Sequence, residues 1–269
     1  MIPLGNLFAL SNVSVVKDGS RILGPLDLSV DEGESIAIIG RNGSGKTTLS
    51  MLLKKEIAPY YDELAQSSLT ILGRKDWNIF DLRRVVVSVS TDDERYFDSH
   101  RSVGEVILSG MFGSDAIYPI HEVTRDMVER MSELMSAVGL TVSPEREFGT
   151  LSQGERRCAM IARALMPQPK AMILDEPTNS LDPIASASFI RMIDGLIGKG
   201  ISVIMVTHRL EDIPKSIGRV IGIKGGLKVA DGKKEDVLSD ASVSEIYGAD
   251  VKVTSDGGIY TLSVLLQNL

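Results

Sequence analysis

Gly40-Arg41-Asn42-Gly43-Ser44-Gly45-Lys46-Thr47-Thr48 (GRNGSGKTT) follows directly on Ser35-Ile36-Ala37-Ile38-Ile39. The nonapeptide fits G-x-x-x-x-G-K-[ST], a loop whose backbone N–H groups wrap a phosphate only if side chains stay out of the way. The apolar run before it suits a buried strand, and Lys46 to Ile57 after it reads as a helix, so the loop has the flanks such a motif requires. Lys46 adds a full positive charge to the N–H groups at the helix start. Thr47 offers a hydroxyl to Mg²⁺.

Working outward, Phe8 to Val16, Leu26 to Val30 and Ser35 to Ile39 read as strands separated by the turns Asp18-Gly19-Ser20 and Asp31-Glu32-Gly33-Glu34. From about Ser102 to Leu165 the pattern is helical: Val103 to Leu108, then Val123 to Val138, with Met127, Met131, Leu134, Met135 and Val138 spaced as one apolar face. Those methionines read as core packing rather than as a ligand set. Ala171 to Leu174 and Ser202 to Val206 are continuous apolar runs, the mark of strands buried on both faces. An α/β fold follows, with a core sheet flanked by helices, an N-terminal antiparallel β subdomain and a helical insertion over about 102–165. Beyond about Val237, Tyr247 to Val253, Asp256-Gly257-Gly258 and Ile259 to Val264 suggest a small terminal β hairpin, so the chain divides into 1–237 and an extension over 238–269.

The chain has 269 residues, 43% of them hydrophobic, enough for one sizeable core. Lys and Arg number 29 against 36 Asp and Glu, a net charge of −7, which disfavours nucleic acid as the partner. A single cysteine, Cys158, allows no internal disulfide and no multi-cysteine metal site. The N-terminus lacks the basic start and apolar run of a signal peptide, and no stretch approaches the ~20 apolar residues of a bilayer span. A cytoplasmic chain is expected.

Two more elements carry chemistry. Asp175 and Glu176 close the apolar run Ala171 to Leu174, and a carboxylate at the end of a buried strand beside a phosphate loop is where a Mg²⁺ counter-charge belongs. Asp175 suits that role, and Glu176 suits a water attacking the γ-phosphate, as proton acceptor or orienting group. Leu151-Ser152-Gln153-Gly154-Glu155 (LSQGE) precedes a helix over Arg156 to Leu165, which places Ser152 and the Gly154 N–H at a helix N-terminus, a second anion site.

These residues carry a resemblance to the ATP-binding cassette (ABC) ATPases, spanning about Leu7 to Gly232. Gly40 to Thr47 resembles that family's Walker A, Met172 to Glu176 its Walker B, Leu151 to Glu155 its signature, Ser180-Leu181-Asp182 its D-loop and Thr207-His208 its switch histidine. The resemblance implies a P-loop fold of ABC type and a head-to-tail homodimer. Each ATP, with Mg²⁺, would lie between one subunit's phosphate loop and the other's Ser152 and Gly154. His208 would contact the γ-phosphate and help Glu176 hold the water, whereas His100 and His121 read as surface residues.

The sequence departs from the family in two places. No aromatic residue stands near Val15-Val16-Lys17 to stack on adenine, which leaves Lys17 to cover the base by its alkyl stem or a cation–π contact. No glutamine follows Val85 to Val89. Ser90 or Thr91 then offers the hydroxyl for Mg²⁺.

VSVSTDDERY, SVGEVILSGMFGS and FGTLSQGERR resemble molybdate-type import ATPases, and SVSEIYGADVKV resembles the ends of metal-chelate and siderophore import ATPases. The resemblance implies an ATPase on the inner face of the cell membrane. It would drive import of molybdate, a metal chelate or a similar small solute through separate permease chains, with a solute-binding protein as a further partner. The alternative is a soluble cassette ATPase acting on nucleic acid or ribosomes, or a regulatory nucleotide binder. Acidic charge and a single cassette weigh against the former; the intact Glu176 and His208 weigh against the latter.

Overall fold

The structure, a computed structural model, describes residues 5–60, 67–90, 93–97 and 99–265. A long antiparallel pair, β1 (Asn6–Lys17) and β2 (Ser20–Asp31), leads into the short buried strand β3 (Ile36–Ile39) and, after the glycine loop, into α1 (Lys46–Leu53). Lys55 takes a left-handed φ of 54°, so α1 stops short of the helix expected as far as Ile57. Next come β4 (Ser68–Ile71), α2 (Ile79–Val85) and β5 (Val86–Ser90). The helical insertion follows as α3 (Val103–Phe112), α4 (Arg125–Ala137) and α5 (Gln153–Leu165). The chain then returns to alternation with β6 (Ala171–Asp175), α6 (Pro183–Gly198), β7 (Ser202–Thr207), β8 (Arg219–Lys224) and β9 (Leu227–Lys233). It closes with α7 (Lys234–Val237), α8 (Asp240–Tyr247), β10 (Val251–Asp256) and β11 (Ile259–Val264).

The central sheet runs β5-β6-β7-β3-β8-β9, parallel except for β9, and a second sheet, β2-β1-β4, is antiparallel. Because side chains alternate across a strand, β3 feeds two cores at once. Ile36 and Ile38 pack with Leu7, Phe8, Leu23, Leu49 and Leu52 beneath the antiparallel sheet and α1. Ala37 and Ile39 face the other layer, with Val106 and Ile107 of α3, Met131 and Met135 of α4, Ile161 of α5 and Ile193 of α6. The methionine stripe is core, as its spacing predicts.

Val251–Asp256 pairs antiparallel with Ile259–Val264. Tyr247, read from the sequence as the start of this hairpin, is instead the last residue of α8, which Gly248 terminates with φ 63°. Val243, Ile246 and Val251 are buried in the same core as α3 and α5.

Candidate functional site

Parallel pairing brings the chemistry-bearing segments to one edge of the sheet. In register, Ile39 stands beside Thr207, Asp175 beside Val206, and Ser90 beside Asp175. The residues that follow these strand ends, Gly40 onward, Glu176 and His208, therefore emerge together at the carboxyl ends of the strands, where α/β sheets form their ligand crevices.

The loop is built around backbone that a side chain would obstruct. A Cβ on Gly40 would lie 2.2 Å from the Ile223 carbonyl oxygen, and Gly45, at φ 105°, is the N-cap of α1. Lys46 is buried, and its ammonium donates to the Gly40 and Arg41 carbonyls at 2.8 and 3.0 Å. Burial lowers the Lys46 pKa, opposed by the negative charge of Glu176, whose Oε1 is 3.8 Å from Nζ. Asn42, Gly43, Gly45, Lys46, Thr47, Thr48, Glu176, Asn179 and Ile22 line a cavity of about 400 Å³. The Ser44 hydroxyl is buried without a hydrogen-bond partner among the described residues.

Glu176 holds a left-handed φ of 48°, a conformation that costs a non-glycine residue roughly 1–3 kcal/mol and that clusters at functional sites. Its N–H donates to the Val206 carbonyl at 2.9 Å, which fixes the turn against β7. Its Oε2 is 2.6 Å from His208 Nδ1, so the imidazole N–H can donate to the carboxylate and leave the other ring nitrogen free. Behind His208, Asp212 Oδ2 accepts from Thr178 Oγ1 at 2.6 Å and Thr207 Oγ1 at 3.1 Å.

The residues present fit a nucleotide with a magnesium ion. No group of three or more His, Cys, Asp or Glu suited to a metal occurs among the described residues. Mg²⁺ asks for less: one or two carboxylates, with phosphate oxygens and waters completing the octahedron. Asp175 Oδ1 is buried without a hydrogen-bond partner, and burial raises the carboxyl's pKa, with Lys54 the largest opposing charge. A desolvated carboxylate with one oxygen unpartnered favours a bound cation. Thr47, an exposed residue, lines the cavity of about 400 Å³, whereas Asp175 is not among the residues lining it. Ser90 neighbours Asp175 across the strand pair, and its own N–H donates to Asp93 Oδ2 at 2.6 Å. Thr91 lies outside the described residues.

The structure separates the other expected site residues from this cavity. Ser152 caps α5 in a reciprocal box: Glu155 N–H donates to Ser152 Oγ at 3.2 Å, and Ser152 N–H to Glu155 Oε2 at 2.7 Å. Gly154 and Glu155 line a different cavity of about 560 Å³ with Ala185 of α6, while Leu151 is buried and Gln153 exposed. Asp182 caps α6, accepting from the Ile184 and Ala185 N–H groups at 2.8 and 2.9 Å. Lys17 is exposed at the tip of β1 and does not line this cavity. Ile22 and Asn179 do, and sequence reasoning named neither. Ile22 sits on β2, far from any motif, and Asn179 lies in the turn between Glu176 and Ser180 with no pattern of its own.

Residues 23–179 match the family described as ABC transporter. The uncharacterized ABC transporter ATP-binding protein YlmA of Bacillus subtilis is 31% identical over 253 residues, covering 92% of this chain and 93% of its own length. The ABC transporter ATP-binding protein ModF of Escherichia coli is 32% identical over 213 residues, 77% of this chain and 42% of its own. Among solved structures, an inward-facing ABC transporter described as of metal-chelate type superposes with a TM-score of 0.77 at 19% identity, over 97% of this chain and 98% of its own; that likeness speaks for the fold. The chain belongs to the ABC transporter family, as an ATP-binding and ATP-hydrolysing subunit.

Proposed function

We propose that two copies of this chain close head to tail on two ATP molecules and thereby drive import of a small solute through separate membrane-spanning permease chains. The observation that carries the pairing is the division of the anion-binding groups. The phosphate loop with Glu176 and the N-terminus of α5 line different cavities of one chain, which supports the reading that each is half of a site. Gly154 supports this reading. A Cβ there would meet nothing in its own chain closer than Ala185 Cβ at 3.8 Å, so the glycine is spared for something outside it.

In the closed pair, Lys46 and the N–H groups of Gly43 to Thr48 hold the β- and γ-phosphates, and Ser152 with the Gly154 N–H of the second copy caps the γ-phosphate. Asp175 and Thr47, with Ser90 beside them, hold Mg²⁺, which supplies charge neutralisation of the triphosphate. Glu176 takes the proton of the attacking water or orients it, and His208 steadies the carboxylate. The new bond joins the water oxygen to the γ-phosphorus, and ADP leaves with the bridging oxygen.

Import of molybdate or a metal chelate is the finer reading. It is supported by the sequence likeness to molybdate-type and metal-chelate import ATPases and by the fold shared with a transporter described as of metal-chelate type. No helix of the described residues is long and apolar enough to cross a membrane, which suits a subunit docked on permease chains at the cytoplasmic face.

Light scattering on the Glu176→Gln chain with ATP tests the pairing: a mass of two chains is expected, and a single chain under those conditions overturns it. ATP-dependent uptake of labelled molybdate or an iron chelate, in vesicles holding this chain and its co-purified permease, tests the direction and the solute.

A further inference from the structure

Tyr247 lies in none of the motifs that carry chemistry, yet it bonds to the segment that carries His208. Its hydroxyl donates a 2.8 Å hydrogen bond to the backbone carbonyl of His208, 39 residues away. That carbonyl belongs to the residue whose ring meets Glu176.

The contact is built by its surroundings. Tyr247 is the last residue of α8, and α8 is seated by Val243 and Ile246, both buried. Ile246 lies close over β8 because Gly222 has no side chain: a Cβ there would fall 2.5 Å from Ile246 Cδ1. Burial raises the Tyr247 pKa, and the negative charges of Glu176, Glu211 and Asp212 push it the same way, so the phenol stays a proton donor at physiological pH. On either side of His208 the chain is held by other means. Arg209 N–H donates to Thr207 Oγ1 at 3.1 Å, and Thr207 Oγ1 donates to the buried Asp212. The carbonyl of His208 is held by Tyr247.

We infer that Tyr247 is a positioning residue for His208: its hydroxyl fixes the histidine backbone so that the imidazole meets Glu176, which makes the segment after β9 a working part of the ATPase. This rests on the role given above to His208. A side chain steadying a catalytic carboxylate must be held to well under an ångström, and a displacement of about 1 Å costs on the order of a hundredfold in rate.

The test uses the full chain labelled with ¹⁵N-histidine. Three histidines are present, His100, His121 and His208, and His208→Gln assigns the signal of interest. Tyr247→Phe keeps the ring and removes the hydroxyl. The expected result is a displaced His208 imidazole resonance with those of His100 and His121 unmoved, and a kcat for Mg-ATP lowered about tenfold with KM within about twofold. In a His208→Ala background the same substitution should change kcat by less than about 1.5-fold, because the two residues act as one unit. A His208 signal unaltered in Tyr247→Phe, or an equal loss of rate with and without His208, overturns the inference. Wild-type hydrolysis by His208→Ala overturns the role of the histidine and this inference with it. A slow His208→Ala beside an unaltered Tyr247→Phe overturns this inference alone.

Discussion

His208 Nδ1 lies 2.6 Å from Glu176 Oε2, while the other oxygen of the same carboxylate is 3.8 Å from Lys46 Nζ. The carboxylate is thus held between an imidazole and an ammonium, at a residue whose backbone is already committed to a left-handed turn. Orientation, more than basicity, is what this arrangement supplies: each neighbour restricts where the carboxylate can point.

Replacing Glu176 by Gln keeps the shape of the side chain and removes its charge. ATP binding is expected to persist, since the phosphate loop and Lys46 are untouched, while hydrolysis falls by a factor of about 10² or more. Single-turnover assays with labelled ATP check this; hydrolysis at the wild-type rate would remove Glu176 from the mechanism.

Asp175 is predicted to carry a stability cost that function requires. Burial raises its pKa in the folded chain, so the ionised form is penalised only in the folded state, and the cost is fully present above that raised value. Sign and window follow. As pH falls between the raised value and the ordinary value of about 4, the cost disappears. Asp175→Asn should therefore raise the Tm of the nucleotide-free chain at pH 7, and the gain should shrink toward pH 4. Mg²⁺-dependent hydrolysis should be lost in the same variant. Thermal melts across pH, paired with phosphate release, decide it; a less stable Asp175→Asn chain at pH 7 contradicts the assignment.

Gly110 of α3 lies close against the backbone of α5. A Cβ there would lie 2.1 Å from the backbone carbonyl oxygen of Arg163 on α5, an atom that cannot swing aside. Gly110→Ala should separate α3 from α5 and cost about 1–3 kcal/mol, a fall in Tm of several degrees. Gly195 of α6, with nothing within 4 Å of its Cβ position, is the control, and Gly195→Ala should not lower the Tm.

The phosphate loop, the Asp175-Glu176 pair and the LSQGE segment were legible in the sequence because each is contiguous: backbone geometry and charge must be delivered within a few residues, and the pattern survives in one dimension. The parts that escaped are assembled across the fold. Ile22 enters the cavity from β2 and Tyr247 reaches His208 from α8, and neither placement leaves a local pattern. Helix α8 was hidden because its two turns bury only Val243 and Ile246, while the alternation Val251-Lys252-Val253 just after it reads as strand. Gly248 behind Tyr247 was the available sign of a helix end. Lys17 shows the converse: its place relative to the family pattern suggested the base, but at the tip of the β1–β2 hairpin it is exposed and apart from the cavity.

The proposed division of anion sites between copies leads to a complementation experiment. Lys46→Ala removes the buried ammonium from the loop and should abolish ATP binding by that chain's own cavity. Ser152→Arg places a bulky guanidinium at the cap of α5 and should leave the chain's own loop intact while blocking the site it offers to a partner. Each variant alone is expected to hydrolyse ATP at a few per cent of the wild-type rate or less, taking about 10²-fold per lost anion contact. Mixed in equal amounts, heterodimers carry both lesions in one composite site and none in the other, so activity should rise several-fold above either variant alone, toward a quarter of wild type, that is, half of the pairs with one of two sites working. Ser152→Arg hydrolysing normally by itself, or a mixture no more active than its components, would mean that the loop and the α5 terminus serve no common nucleotide.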